Sequence, residues 1–244
     1  MSEQHFAAIY DFLMKDAPYE QWLQYATERL PQNGKIVDLA CGTGTFTLML
    51  YERGYDVIGV DISQDMLAVC EQKFRSKNIS IPLVKQDMRH FSGFSQLDGV
   101  TIFCDGLNYL TDEHDVKQTF KNVSQSLKPG GVFLFDVHST NKMEETFHNE
   151  LYGENGVDVS YLWFTSPGDE PYSVEHTLTF FVKNNIGTYD RIDEVHEQRT
   201  FPVNAYIRWL EEAQFEQIEV TTDFGKNKFD KHAERIFFYA KKCK

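Results

Sequence analysis

The stretch from Ile36 to Thr45, Ile36-Val37-Asp38-Leu39-Ala40-Cys41-Gly42-Thr43-Gly44-Thr45, constrains the fold more than any other part of the chain. An apolar run rich in β-branched residues ends in small residues, and Phe46, Leu48, Met49 and Leu50 then follow at helical spacing. Strand, tight turn and helix in that order form the junction at which open α/β sheets bind nucleotides. Gly42 and Gly44 lack a Cβ, so the backbone can turn sharply and a ligand can approach it. The free N–H groups of the following helix then point at that ligand.

The third small residue separates two chemistries. A dinucleotide fingerprint needs G-x-G-x-x-G or A, and neither the frame from Gly42, which reaches Thr47, nor the frame from Ala40, which reaches Thr45, completes it. The stretch instead resembles the D-L-G-C-G-T-G signature of class I S-adenosylmethionine-dependent methyltransferases, with Ala40 where the first glycine usually stands. The extra methyl tightens the loop without closing the site. Lys128-Pro129-Gly130-Gly131 before the apolar run Val132–Val137 resembles a second hallmark of the same family, in register with the first. The resemblance spans about residues 35–137 and the last thirty or so. It is nearest to small-molecule branches that methylate glycine and amino sugars. It implies an α/β, Rossmann-like seven-stranded sheet of order 3-2-1-4-5-7-6, the last strand antiparallel, flanked by helices.

Composition sets the outer limits. At 244 residues the chain fits one large α/β domain carrying a subdomain. No apolar run reaches the ~20 residues of a membrane span, and Met1-Ser2-Glu3-Gln4-His5 lacks the start of a signal peptide. Cys41, Cys70, Cys104 and Cys243 form no C-x-x-C pair, as expected of reduced thiols in a cytoplasmic protein. The net charge of −13, with basic residues gathered only at Lys241-Lys242-Lys244, repels phosphate backbones and argues against nucleic acid as partner. The expected partner is a small-molecule acceptor, met by a monomer or homodimer without membrane attachment. No H-E-x-x-H or paired Cys/His spacing occurs, so no metal is expected.

Residues 1–32 read as a helical cap, broken at Pro18. On the resemblance, Tyr10 and Tyr19 of this cap face the methionine end of the cofactor. The next strand, Asp56–Asp61, ends in an acid 17 residues after Gly44, near the separation at which a carboxylate receives both hydroxyls of a ribose. Ser63 caps the helix that follows, and Ile62 and Met66 stand where an adenine face would pack. A third strand over 81–84 leads to Gln86-Asp87-Met88. The resemblance gives Asp87 the adenine amino group and its neighbours the ring edge. The cofactor-binding set is therefore Asp38, Ala40, Cys41, Gly42, Gly44, Asp61, Ile62, Met66, Gln86, Asp87, Met88, Tyr10 and Tyr19, with Cys104 and Asn108 added because the loop after Leu97–Phe103 should face the ligand.

After His138 the pattern alternates as in antiparallel strands over 157–200, with Asn184-Asn185-Ile186-Gly187 as a hairpin turn. Residues 139–200 thus read as a small β subdomain inserted over the substrate side of a framework made of 33–138 and 201–244. A sulfonium methyl is already electrophilic, so the protein must place an acceptor and receive its proton. Candidates for that proton are Tyr10, Tyr109 and His138. The reading is methyl transfer to a nucleophilic N or O of a small molecule. The alternatives are a binding module that keeps the cofactor pocket without catalysis, a methyltransferase acting on protein or tRNA, and a nicotinamide-dependent oxidoreductase.

Overall fold

The computed structural model describes residues 2–244, the side chains of residues 2–5 and of Ala8 excepted. Its framework is a sheet built from β1 (Lys35–Leu39), β2 (Asp56–Asp61), β3 (Leu83–Lys85), β4 (Leu97–Ile102), β5 (Leu127–His138), β10 (Phe215–Thr222), β11 (Asn227–Lys228) and β12 (Arg235–Lys242). The order is β11-β10-β12-β5-β4-β1-β2-β3. Strands β1 to β5 are parallel, whereas β12 runs antiparallel to both β5 and β10. This is the expected topology, with two-residue β11 added at the edge.

Period-two alternation assigns the strand residues to two layers. Phe133, Phe135 and Val137 of β5 face α5 (Glu113–Ser126) and α6 (Val203–Glu212), where Phe120, Tyr206 and Trp209 are buried. Phe135 stacks on Phe238 of β12 at 4.6 Å. Val132 and Leu134 face the other way, onto Trp22, Leu23 and Tyr25 of α2 (Tyr19–Thr27), Phe46 and Leu50 of α3 (Thr45–Glu52), and Phe74 of α4 (Gln64–Ser76). Ser63 caps α4 by accepting from Met66 N, and Asp112 caps α5 by accepting from His114 N.

The second sheet is antiparallel, β6 (Leu151–Asn155), β7 (Val159–Pro167), β8 (Ser173–Lys183) and β9 (Tyr189–Arg199) in that order. Three of its strands follow the expected alternation. Strand β6 was not anticipated: it lies at an edge with four of its five residues exposed, so it carries no apolar alternation. One face of this sheet buries Leu178, Phe180 and Ile192 against Ile9, Phe6 and Leu13 of α1 (Ser2–Leu13). Helix α1 is thereby held by the small sheet. It is also held by the framework, because Asp11 accepts hydrogen bonds from Thr43 at 2.5 Å and Lys73 at 3.0 Å.

Candidate active site

Between α1, the carboxyl ends of β1, β2 and β4, and strand β9 lies a cavity of about 440 Å³, within the range of small-molecule sites. Its floor is the β1–α3 turn. Gly42 has φ +54°, and among the described residues a Cβ there would meet only Tyr10, at 3.9 Å, so this glycine leaves its face of the turn open to a ligand. Gly44 has a different duty. At φ +75° it starts α3, and a Cβ would lie 2.2 Å from Cys70 Sγ and 2.9 Å from Phe74. It is therefore the packing of α3 on α4, rather than ligand approach, that requires glycine at position 44. Ala40 sits at φ +62°, and its methyl fits because residue 106 is also glycine, whose Cβ would come within 3.0 Å of it.

These two glycines should behave differently on substitution. Gly44→Ala adds left-handed strain to an overlap inside a packed core and should destabilise the fold by about 2–5 kcal/mol. Gly42→Ala should cost about 1–2 kcal/mol, from left-handed strain alone, yet obstruct the cavity. Thermal unfolding paired with ligand titration separates the two effects.

The two acids at the strand ends are held differently. Asp38 is buried, and its carboxylate accepts from Thr47 at 2.6 Å and Thr101 at 3.0 Å. Burial outweighs these bonds and raises its pKa to about 6. Asp61 accepts from the backbone N–H of Gly42 at 2.7 Å and of Ser63 at 2.9 Å. A carboxylate offers roughly four acceptor positions, so these bonds leave room for hydroxyl donors. Burial lifts the Asp61 pKa and the backbone donors draw it back. Ile62, Met66 and Met88 line the same cavity.

Gln86 and Asp87 line a smaller adjoining hollow that shares Ala40, Asp61, Ile62, Met88 and Tyr109 with the cavity. The Asp87 carboxylate there accepts from Arg89, through Nε at 2.9 Å and Nη2 at 2.6 Å. Cys41, Cys104, Tyr10, Tyr19 and Tyr109 all line the main cavity. Burial raises the pKa of all three phenols, which keeps them protonated as donors.

Two residues lie elsewhere than the sequence suggested. Asn108 is fully buried: its amide donates to the Arg199 carbonyl at 2.8 Å and its oxygen accepts from His138 N at 2.9 Å, so the side chain ties strands together and does not face the ligand. His138 is also buried away from the cavity, its Nε2 3.6 Å from Asp105 Oδ2. The loop after β4 runs Cys104 and Asp105 both at φ +54°, which breaks the alternation on which such an assignment depends.

That loop is fixed by a polar network the sequence reading missed. Arg235 bonds Asp136 and, at 2.9 Å, Asp105. Gln198 of β9 donates to Asp105 at 2.9 Å, and Trp22 of α2 donates to Asp136 at 3.2 Å. Although burial opposes it, His138 and Arg235 hold the Asp105 pKa well below the usual carboxylate range. An acid inside the apolar run Val132–Val137 and an arginine opening the run at 235 were its only signals.

Burial also lowers the pKa of His176, to about 4 from an ordinary 6.5. The folded state therefore binds fewer protons than the unfolded state across that interval. His176 stabilises above pH 6.5, and this contribution, about 3 kcal/mol, is lost as pH falls to about 4. His176→Phe should flatten the acid limb of a stability-versus-pH curve in that window.

Gly42, the acceptor capacity left on Asp61, and the apolar side chains of Ile62, Met66 and Met88 fit an adenosyl ligand. A family model described as a methyltransferase domain matches residues 36–131. The chain is 45% identical to YqeM of Bacillus subtilis over 100% of this chain and 98% of that one, and 43% identical to a protein of Geobacillus sp. (strain WCH70) over 99% and 100%. Both carry methyltransferase names. The crystal structure of an S-adenosylmethionine-dependent methyltransferase from Clostridium acetobutylicum superposes with a TM-score of 0.88 at 32% identity, covering 98% of each chain. With this agreement from end to end, the chain belongs to the S-adenosylmethionine-dependent methyltransferases of class I.

Proposed function

We propose that this protein transfers a methyl group from S-adenosylmethionine to a nucleophilic nitrogen or oxygen of a small molecule. The observation that carries the reading is the roof of the cavity. Helix α1 and strand β9 close over the glycine turn, leaving room suited to a cofactor and a compact acceptor. A net charge of −13 further disfavours a polyanionic substrate.

Bound S-adenosylmethionine supplies an electrophilic sulfonium methyl. The chain's part is to bind, orient and exclude water. In this reading Asp61 receives the ribose hydroxyls, Cys41 and Gly42 form the floor, and Tyr10, Tyr19, Cys104 and Tyr109 surround the reacting end. Asp87 is the adenine-side acid. Its engagement by Arg89 means that an adenine amino group would share that carboxylate. Aligning donor and acceptor in such a site can supply up to ~7–11 kcal/mol of barrier reduction.

The test uses methyl-labelled S-adenosylmethionine with a cell extract separated into small-molecule and macromolecular fractions. Label should enter the small-molecule fraction. Label in protein or RNA would overturn the acceptor class, and no transfer to either fraction would favour a binding module.

A further inference from the structure

Antiparallel strands send alternate side chains to opposite faces, and the small sheet carries large apolar side chains on both. Leu178, Phe180 and Ile192 face α1. The opposite face carries Leu151 of β6, Leu162 and Phe164 of β7, and Val195 of β9. Leu151 is 63% exposed, Val195 59%, Leu162 50% and Phe164 41%. A sheet that served only to roof the cavity would be polar on this outer face. Large apolar side chains kept together in water mark a face that another molecule covers.

Charge and relief identify that molecule. Glu175, Thr177, Thr179, Phe181 and Lys183 follow one another along the outer face of β8. Ser166, Phe164, Leu162 and Ser160 of β7 stand beside the first four. Glu197 of β9 adjoins Glu175, whereas Arg191 adjoins Phe181, one step from Lys183. The face is therefore acidic at one end, basic at the other and mostly uncharged between. Among the described residues, Glu175 and Lys183 have no ion-pair partner within the chain. Turned end for end about Thr179, β8 sets Glu175 against Lys183 and Thr177 against Phe181. The same rotation sets Phe164 of β7 against Ser160, again large on small. A second copy of the chain supplies this match by symmetry. Over the rest of their surfaces two copies repel, because each carries a net charge of −13.

We propose that this face binds a second copy of the chain, sheet on sheet with strands antiparallel, about a two-fold axis that crosses the strands at Leu162 and Thr179. Glu175 of each copy then lies against Lys183 of the partner subunit, and Phe164 and Phe181 fill the space over Ser160 and Thr177 of the partner subunit. Asp193 stands level with the axis on β9, but Arg191 already binds it at 2.9 Å, so it brings no bare charge to the contact. The outer face of β8 from Glu175 to Lys183 is about 30 Å long, and four strands span roughly 19 Å. Their overlap buries on the order of 500 Å² per copy, about 1,000 Å² in total, which meets the lower bound of a specific interface.

The test is sedimentation equilibrium of the full chain at micromolar concentration. The wild type should be a dimer. Glu175→Lys or Lys183→Glu alone brings like charges together and should raise the dimer dissociation constant at least about tenfold. Both changes in one chain should restore the wild-type constant, since each exchanged charge again meets its opposite. Phe164→Asp should give a folded monomer with the far-ultraviolet circular dichroism of the wild type. A monomeric wild type would overturn the proposal. So would a dimer that Phe164→Asp leaves intact, single charge variants that associate like the wild type, or a double variant that fails to recover.

Discussion

Asp61→Ala is expected to weaken S-adenosylhomocysteine binding by at least about 100-fold. Two ribose hydroxyls lose a charged acceptor, at ~1.5–3 kcal/mol each, which converts to two or more orders of magnitude. The change also frees the Gly42 and Ser63 N–H groups that the carboxylate fixes, so the floor of the cavity loosens as the ligand contact disappears. Asp61→Asn keeps one acceptor oxygen and should lose less. Calorimetric titration of the three proteins checks the order. Equal affinities would remove Asp61 from the cofactor site.

Arg235→Met is expected to have the largest effect on the fold. It leaves Asp136, fully buried, and Asp105 without their shared cation, and breaking a buried pair in this way costs about 3–5 kcal/mol. In a chain of this size that lowers the Tm by roughly 6–20 °C. The sign with pH follows from burial, which already raises the Asp136 pKa. Without the arginine the acid holds its proton more tightly in the folded state, so the variant's deficit should shrink toward pH 5 and grow toward pH 8. The same network joins α2, the loop after β4 and β9, which are three walls of the cavity. Ligand affinity should therefore fall with stability.

The sheet could be read from the sequence because its central strands are continuous apolar runs bounded by turn residues, as strands buried on both faces are. The glycine turn was legible for the same reason, yet residue type alone could not divide its labour. Gly42 faces a cavity and Gly44 faces Cys70 and Phe74, a distinction that depends on where α4 packs. The position of Asp61 at the cavity was legible because its spacing from the glycine turn is fixed by one helix and one strand. Asn108 was misplaced because the loop after β4 has left-handed residues and no period to follow, and His138, at the end of β5, turns to Asp105 instead of the cavity. That Glu194 and His196 of β9 line the cavity was not legible, because alternation in β9 tells which residues share a face, not which face meets the framework.

The most direct test of the cofactor assignment is a calorimetric titration of the wild-type protein with S-adenosylhomocysteine and, separately, with NAD. The structure predicts saturable one-to-one binding of the adenosyl-sulfur ligand and no binding of NAD at the same concentrations. Binding of NAD instead, or no heat from S-adenosylhomocysteine, would contradict it.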